Sequence, residues 1–374
     1  MRILFFINSL RSGGAERVLV NLVNNLNLKK YNITVLTLFD TGINRQFLRP
    51  EISYKFVFKN RIFGIKYLYK LFSPTILYQY FVKDDYDLAV SYLQGFTTRI
   101  ISGGPKLMPK VAWIHGTFSK KNNSKMYRSS TEMINVYNKY NAIVGVSKYI
   151  IDSFHKEIGK KENTYVIYNT HEVNKIINQS KESIDCVFDE NKLNIITAGS
   201  FYPVKGYERL LKCILKLKIE NYKFHLYLIG TGDLKESLEF FVKTNKLDDY
   251  VSFLGFQTNP YKYFSKADLF VCSSYTEGFS GTVSEATILG LPTLTTECSG
   301  MDEILGEKNE YGIIVNNSDE ELYKGLKNIL DNPAELKYYK EKVKERSVFF
   351  NTEATVKQAE NLFDSLICKI QNNV

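Results

Sequence analysis

The chain has 374 residues, enough for two domains that each bury their own core. Five cysteines, odd in number and widely spaced, exclude a disulfide framework and a C-x-x-C zinc site and fit a reducing cytosol. They are Cys186, Cys213, Cys272, Cys298 and Cys368. Because the opening apolar run is short and no apolar run reaches about 18 residues, we expect neither export nor a membrane span.

Positive charge is concentrated in the first half of the chain. The whole chain carries a net charge of +9. Residues 1–170 contain 25 Lys and Arg against 10 Asp and Glu, a net charge of +15, whereas the remainder has a net charge of −6. We therefore expect an anionic partner for the first half. Charge alone leaves nucleic acid, an anionic membrane and a phosphate-bearing lipid as alternatives.

Two series of short apolar runs, separated by helical stretches, predict two parallel sheets. The runs begin near residues 2, 33, 87, 111, 142 and 165 in the first half and near residues 194, 225, 251, 268, 292 and 312 in the second. This alternation predicts a doubly wound α/β domain in each half. The predicted segments are a first domain at 1–170, a polar linker at 171–192, a second domain at 193–351, and helices near 318–331, 333–348 and 352–371.

Two glycines follow the first apolar run, in S-L-R-S-G-G-A-E-R. Gly13 and Gly14 precede a segment with helical spacing of its apolar residues. The pattern is not G-x-G-x-x-G, so a dinucleotide fingerprint is absent. The glycines alone are compatible with a plain strand-to-helix turn and with a loop that faces a ligand.

A basic and aromatic stretch lies at residues 52–83, which contain no acid. Its basic residues are Lys55, Lys59, Arg61, Lys66, Lys70 and Lys83, and a second basic group comprises Lys120, Lys121, Lys125 and Arg128. Basic and aromatic side chains together are typical of a membrane interface. A core helix with a solvated basic face is the alternative.

The motif W-I-H-G places His115 at the end of an apolar run. That is the edge at which open α/β sheets bind ligands. A structural role and a ligand contact both remain open for this histidine. The other three histidines, His155, His171 and His225, have no such context, and we assign them no role.

The stretch S-S-Y-T-E-G-F-S-G-T-V-S-E-A, residues 273–286, predicts a strand end, a glycine-bearing turn and a helix start. Backbone amides at such a turn, with the helix dipole behind them, favour a phosphate. Glu277 in the turn and Glu285 one turn inside the helix would then accept hydroxyls, which suits a nucleotide-sugar. A solvated surface position is the alternative for both.

Several of these motifs resemble retaining glycosyltransferase family 4. E-G-F-S-x-x-x-x-E-A closely resembles its donor-site signature, G-G-A-E-R resembles its first loop, and A-G-S-F-Y-P-V-K-G resembles its G-R-L-x-x-x-K-G motif. The resemblance covers nearly the whole chain and is strongest from Thr197 to Val315. It implies the GT-B fold, in which two Rossmann-like domains face a cleft and a C-terminal helix, here about 352–374, crosses back to the first domain.

The resemblance also implies roles for single residues. The catalytic candidates are Glu277 and His115 at the donor sugar and Lys205 at the diphosphate, while Glu285 would accept ribose hydroxyls. Ser200 stands where the family has an arginine, so a phosphate contact commonly worth about 1.5 to 3 kcal/mol is absent. The remaining donor-binding candidates are Gly13, Gly14, Gly206, Gly230, Gly255, Phe256, Gln257, Gly278, Phe279 and Ser280.

The implied reaction is transfer of a sugar, with retention, from a UDP- or GDP-linked donor to an acceptor hydroxyl, without a metal or another cofactor. By analogy with similar enzymes we expect a glycan or lipid-linked acceptor of bacterial cell-surface polysaccharides. The expected location is cytoplasmic, peripheral at the inner face of the cell membrane, without nucleic acid. A nucleotide-sugar epimerase or phosphorylase of the same fold, and a non-catalytic basic protein that binds membrane or nucleic acid, are the alternatives.

Overall fold

The computed structural model describes residues 1–11, 13–62 and 64–371, apart from the side chains of residues 66–68, 120, 122, 370 and 371. It divides the chain into two compact units. The first unit comprises Met1–His171 and Thr352–Val374, and the second comprises Glu172–Asn351. Phe63 and the side chains of Lys66, Tyr67 and Lys120, which belong to the predicted basic and aromatic surface, lie outside this description.

In the first unit, the described residues form one seven-stranded parallel sheet in the order β3-β2-β1-β4-β5-β6-β7. Its strands are β1 (Arg2–Ile7), β2 (Asn32–Phe39), β3 (Ser53–Phe58), β4 (Leu88–Ser91), β5 (Lys110–Ile114), β6 (Ala142–Gly145) and β7 (Thr164–Val166). Its helices are α1 (Gly14–Asn25), α2 (Ile65–Leu71), α3 (Pro74–Phe81), α4 (Phe96–Ile101), α5 (Lys120–Asn123), α6 (Ser130–Tyr137), α7 (Lys148–Ile158) and α16 (Thr352–Gln371).

In the second unit, the described residues form a six-stranded parallel sheet in the order β10-β9-β8-β11-β12-β13. Its strands are β8 (Leu193–Ala198), β9 (Phe224–Ile229), β10 (Val251–Gly255), β11 (Leu269–Cys272), β12 (Thr293–Thr296) and β13 (Ile313–Val315). Its helices are α8 (Val173–Gln179), α9 (Tyr207–Ile219), α10 (Lys235–Thr244), α11 (Tyr261–Phe264), α12 (Gly281–Ile288), α13 (Met301–Leu305), α14 (Asp319–Asp331) and α15 (Pro333–Ser347).

Both sheets confirm the predicted α/β class, and each contains a point where the strand order reverses. The reversal lies between β1 and β4 in the first unit and between β8 and β11 in the second. Connections leave these neighbouring strands in opposite directions, which opens a crevice at their carboxyl ends. The loops that follow these strands are therefore the expected ligand-binding positions of each unit.

Strand β3 corrects the prediction for residues 52–83. The apolar runs predict no strand there, yet Ser53–Phe58 pairs in parallel with β2 at the sheet edge. The reason is that an edge strand needs no continuous apolar run, because one side of its ladder and part of both faces meet water. Residues 52–83 are thus an edge strand followed by the short helices α2 and α3, not a single helix.

The segment predicted as a linker, 171–192, contains helix α8 and packs within the second unit. Ile176 is its buried apolar anchor. The Asn259 side chain donates to the Gln179 carbonyl at 2.9 Å, and the Tyr263 hydroxyl donates to Asp185 Oδ1 at 2.5 Å. Side-chain hydrogen bonds of this kind fix a polar segment without hydrophobic periodicity.

Helix α16 packs on the first unit beside α1 and the central strand β1. Phe363 is fully buried, with its ring centroid 6.0 Å from that of Phe5. At the surface, Asp364 pairs with Lys30 at 2.5 Å and accepts from the Tyr31 hydroxyl at 2.7 Å. Burial raises the pKa of Asp364, but these two contacts outweigh burial and the pKa is lowered. The helix therefore belongs to the core of this unit.

None of the helices in the described part of the chain is both long and apolar enough to cross a membrane.

We predict that Phe363→Ala destabilises the first unit by about 3 to 5 kcal/mol, because it leaves a cavity between α16 and β1. The chain has one tryptophan, the buried Trp113 on β5, so its fluorescence during urea unfolding reports this unit. Phe240→Ala is the matched control, since that ring is 71% exposed. A Phe363→Ala midpoint equal to that of the wild type would contradict the core position of α16.

Candidate active site

The turn between β11 and α12 has the predicted strand, turn and helix arrangement. Ser280 caps α12, its Oγ accepting from the Val283 amide at 3.4 Å. The Ser284 hydroxyl donates to the Ser280 carbonyl at 2.8 Å, and Phe279 is buried beneath the turn. The capped amino end of α12 therefore lies at the strand-order reversal of this sheet, and the helix dipole there favours an anion.

Lys205 and Glu277 form an ion pair beside this turn. Lys205 Nζ lies 2.7 Å from Glu277 Oε1, and the same oxygen accepts from the Ser274 hydroxyl at 2.7 Å. Burial opposes the charged form of Lys205, but the Glu277 carboxylate outweighs it, and the pKa of Lys205 is raised. The lysine is therefore a cation at neutral pH, held at the carboxyl edge of the sheet.

The loops that carry these two residues are joined through their backbones. The Tyr275 amide donates to the Val204 carbonyl at 2.8 Å, and the Ser273 hydroxyl donates to the Lys205 carbonyl at 3.0 Å. Gly206 has a left-handed φ of 67°, and a Cβ there would lie 2.0 Å from the Ser273 carbonyl oxygen. Only glycine permits this approach, so Gly206 serves the packing of the two loops.

Glu285 lies in the second turn of α12 and is bound by a residue that sequence reasoning missed. The Tyr261 hydroxyl donates to Glu285 Oε1 at 3.1 Å. Tyr261 begins the short helix α11, directly after an Asn-Pro pair. That pair signals a turn, but no sequence pattern indicates that the following tyrosine reaches a carboxylate 24 positions away.

The loops after β8, β9 and β10 meet at the same edge and bring together the glycines predicted there. The Gly230 amide donates to the Gly255 carbonyl at 2.8 Å, and a Cβ on Gly230 would lie 1.9 Å from the Gly199 carbonyl oxygen. Next to them, Phe256 is exposed, and Gln257 donates to the Leu254 carbonyl at 2.7 Å. Ser200 is half-buried, and its carbonyl accepts from the Tyr202 amide.

Arg209, which the sequence did not single out, lies under the turn before Glu277. Its guanidinium group is 1% exposed and donates to the carbonyls of Ser273 and Ser274. It also donates to Thr296 and Asn317 and lies 4.0 Å from the Tyr275 ring centroid. The apolar pattern of α9 predicts an exposed arginine at this position, so it does not indicate these contacts.

In the first unit, Gly13 and Gly14 lie at the amino end of α1, after β1. Gly13 has ordinary extended dihedrals, yet a Cβ there would lie 2.2 Å from Glu16 Oε2. The Glu16 side chain thus folds back over the start of its own helix. Burial raises the pKa of Glu16. Gly14 is exposed, and the space around its Cα admits a side chain.

His115 follows β5, and its ring packs on Tyr92 with 4.7 Å between centroids. Its backbone amide donates to the Gln94 side chain at 3.1 Å. Among the described residues, none hydrogen-bonds its buried Nε2 atom. Burial lowers the pKa of His115 to about 3, so the ring is neutral at physiological pH. A neutral imidazole can orient a hydroxyl group but carries no charge to a phosphate.

Across the described ranges, no three His, Cys, Asp or Glu side chains come together as a metal-binding group.

We predict that His115 makes the first unit less stable as the pH falls. The folded pKa of about 3 lies below the unfolded value of about 6.5, so the unfolded state binds more protons between these values. Between pH 6.5 and pH 5 His115 accounts for about 1 to 2 kcal/mol of this loss, which His115→Gln removes. His171, whose pKa burial lowers to about 4, contributes separately and is unchanged in this variant. Trp113-monitored urea unfolding at both pH values measures it.

The control for this experiment is His225→Gln, because burial also lowers the pKa of that histidine but it lies in the second unit. Its Trp113 transition should keep the pH dependence of the wild type. Equal pH dependence in the wild type and His115→Gln would show that His115 titrates normally in the folded protein.

Two family models match successive parts of the chain. The model described as Glycosyltransferase Family 4 matches residues 12–174, and the model described as Glycosyl transferases group 1 matches residues 178–346. A similar curated protein is the N-acetylgalactosamine-N,N'-diacetylbacillosaminyl-diphospho-undecaprenol 4-alpha-N-acetylgalactosaminyltransferase of Campylobacter jejuni. It is 26% identical over 363 residues, which cover 92% of this chain and 94% of that protein.

Solved structures share the fold over almost the full length. HepE of Anabaena, in complex with UDP and glucose, matches with a TM-score of 0.78 at 20% identity, covering 98% of this chain and 100% of the other. The sucrose-phosphate synthase of Thermosynechococcus elongatus matches with a TM-score of 0.77 at 16% identity, covering 99% and 100%. With two consecutive family matches and this shared fold, the chain belongs to the glycosyltransferases of the GT-B fold, with a family 4 domain followed by a group 1 domain.

Proposed function

We propose that this glycosyltransferase moves a sugar from a nucleoside-diphosphate sugar to an acceptor hydroxyl with retention of configuration. The observation that carries the proposal is the Lys205–Glu277 ion pair beside the amino end of α12. A cation and a helix dipole side by side suit a diphosphate, and a carboxylate next to them suits a sugar hydroxyl. Both features lie at the strand-order reversal, where α/β sheets bind nucleotides.

The donor contacts follow from this arrangement. Lys205 would bind the diphosphate, exchanging part of its contact with Glu277 for the phosphate oxygens. Glu285 would accept hydrogen bonds from the ribose hydroxyls, with Tyr261 fixing its orientation. The glycine loops at 230 and 255, with Phe256 and Gln257, would flank the base. The UDP bound to the Anabaena protein of the same fold supports a uridine donor.

For the chemical step we propose transfer on a single face of the sugar. The acceptor oxygen bonds to the anomeric carbon while the bond from that carbon to the diphosphate breaks, and the acceptor proton passes to a donor phosphate oxygen. Lys205 and the α12 dipole stabilise the charge that develops on the leaving diphosphate. Glu277, held by Lys205 and Ser274, orients the sugar.

For the acceptor we propose a lipid-linked glycan of bacterial cell-surface polysaccharide synthesis. The Campylobacter protein, similar over nearly its whole length, carries diphospho-undecaprenol in the name of its acceptor. Because an acceptor of this kind lies in a membrane, we propose that the enzyme works at the inner face of the cell membrane. The proposal requires no cofactor beyond the donor.

We predict that Lys205→Ala and Glu285→Ala each lower sugar transfer about 10-fold to 150-fold, because a charge-assisted contact to the diphosphate or to its ribose contributes about 1.5 to 3 kcal/mol. Transfer from UDP- and GDP-sugars to a polyprenyl-diphosphate glycan measures this loss. Proton NMR of the product from the wild type should show the anomeric configuration of the donor.

Lys324→Ala is the matched control, since Lys324 is an exposed lysine paired with Glu321 on α14. It should keep the activity and melting temperature of the wild type, and Lys205→Ala and Glu285→Ala should remain folded at the assay temperature. Near-normal transfer by folded Lys205→Ala or Glu285→Ala would refute the donor-site assignment. A product of inverted configuration would refute retention alone.

We also propose that the first unit attaches to an anionic membrane through a surface formed by α2 and α3, named here the apolar face. Ile76 and Tyr80, four residues apart on α3, are 52% and 65% exposed, and Leu71 at the end of α2 is 72% exposed. The loop that carries the exposed Leu107 packs against α3, because Gly103 touches Pro74. Apolar side chains in this arrangement suit the headgroup boundary of a bilayer.

Exposed basic side chains occur beside the apolar face at Lys83 and in the segment that precedes α2. Lys59, Arg61 and Lys83 are exposed, and Lys83 Nζ lies 5.0 Å from the Tyr80 ring centroid. Each such residue near an anionic membrane contributes about 1 kcal/mol, screened by salt. Two predicted members have other contacts: Lys55 pairs with Asp84 at 2.5 Å, and Arg128 donates to the carbonyls of Lys70 and Leu71.

We predict that the wild type sediments with vesicles of phosphatidylcholine and phosphatidylglycerol at low salt and is released at high salt. Changing Ile76 and Tyr80 to Ser, or Lys59, Arg61, Lys66 and Lys70 to Gln, should weaken sedimentation at least tenfold. The double variant Phe240→Ser with Lys324→Gln, in the second unit, is the control. Wild-type protein that ignores these vesicles but binds single-stranded nucleic acid with steep salt dependence would overturn the membrane proposal.

A further inference from the structure

Arg209 is a buried cation for which the described part of the chain offers no acidic partner. It forms no ion pair with any described residue, and its guanidinium group is 1% exposed. Arg99 in the first unit is equally buried but pairs with Glu132 at 2.8 Å. Burying a guanidinium without a carboxylate is unfavourable unless hydrogen bonds satisfy it. The groups that satisfy Arg209 therefore indicate what it does.

Four hydrogen bonds from Arg209 end on neutral acceptors around one turn. Nε donates to the Ser273 carbonyl at 2.7 Å, and Nη2 donates to the Ser274 carbonyl at 2.6 Å. Nη2 also donates to Thr296 Oγ1 at 3.1 Å, and Nη1 donates to Asn317 Oδ1 at 2.8 Å. Because two consecutive carbonyls are bound by one planar group, the peptide planes that lead into Glu277 are fixed.

A continuous set of contacts connects this guanidinium group to the ion pair. The Ser274 backbone is bound by Arg209, and the Ser274 hydroxyl donates to Glu277 Oε1 at 2.7 Å. That oxygen pairs with Lys205 Nζ at 2.7 Å. Lys205 and Arg209 both belong to the short segment 205–209. This segment therefore holds the turn through the Arg209 side chain and through the Lys205 backbone carbonyl.

We propose that Arg209 is a positioning residue of the donor site, which fixes the turn 273–277 so that Glu277 and Lys205 keep their places for the donor. It touches neither sugar nor phosphate and acts through Ser274 and Tyr275. The inference rests on the proposed nucleoside-diphosphate donor. Since Arg209 adds positive charge without a carboxylate beneath an anion-binding turn, it also favours the negatively charged ligand over an empty site.

The test compares variants by calorimetric binding of UDP and GDP and by steady-state kinetics. Arg209→Lys cannot reach both carbonyls with a planar fork, so we expect its dissociation constant for the bound nucleotide and its donor KM to rise at least tenfold. The acceptor KM should stay within twofold of the wild type. A merely structural loss would lower the active fraction and leave both KM values unchanged.

A second variant, Asn317→Ala, tests the proposal independently in case Arg209→Lys does not fold. Asn317 is exposed, accepts from Arg209 and donates to the Tyr275 carbonyl at 2.9 Å. Asn317→Ala should raise the nucleotide dissociation constant threefold to tenfold without a change in melting temperature. Its effect and that of Arg209→Lys should not add in the double variant, because both act on one turn.

Arg346→Gln is the matched control in the same unit. Its guanidinium group also donates to two backbone carbonyls, those of Glu303 and Ile304, at 2.5 and 2.8 Å, but these belong to α13 and not to the turn 273–277. It should lower the melting temperature and leave nucleotide affinity within twofold. Wild-type affinity and donor KM in folded Arg209→Lys or Asn317→Ala would overturn the inference alone. Failure of the wild type to bind UDP and GDP would overturn the donor assignment, and the inference with it.

Discussion

The close approach of two loops at one sheet edge is the constraint on which the candidate site depends. Strands β8 and β11 are neighbours in the sheet although about seventy residues separate them, and their connections leave in opposite directions. The backbones of 203–206 and 273–275 then meet so closely that Gly206 admits no Cβ. This contact brings the Lys205 side chain to Glu277 and sets both beside the amino end of α12. Without the reversal in strand order the two motifs would be distant loops.

Most of the fold could be predicted because buried parallel strands are continuous apolar runs, and twelve of the strands described here coincide with such runs. The exception, β3, is a half-exposed edge strand with Lys55 in its middle, and its charge and aromatic content resemble a surface segment. The packing of the stretch 171–192 could not be predicted either, because side-chain hydrogen bonds from Asn259 and Tyr263 fix it. Periodicity reports burial of apolar faces, and neither segment has a continuous one.

The residues of the candidate site likewise include some that the sequence predicts and some that it does not. Lys205, Gly206, Glu277 and Glu285 lie in compact motifs whose glycines and local order can be recognised, and the structure brings the first three together. Tyr261 and Arg209 act on these residues from other elements, and their contacts depend on tertiary packing that no spacing encodes. Likewise, a count of basic residues cannot show that Lys55 is paired with Asp84 or that Arg128 donates to backbone carbonyls of α2.

Two buried arginines show how one side chain serves different ends. Arg99 donates to the carbonyls of Tyr69 and Phe72, at the end of α2, and Glu132 neutralises its charge. Burial raises the pKa of Glu132, but the contact with Arg99 outweighs burial and the pKa is lowered. This pair fixes the base of the apolar face without leaving net charge inside the unit. Arg209 donates to backbone carbonyls in the same manner, but none of the described residues forms an ion pair with it, so its positive charge remains beside the proposed donor site. Arg99 with its acid thus fixes structure, whereas Arg209, in our proposal, fixes structure and also leaves its charge available to the donor.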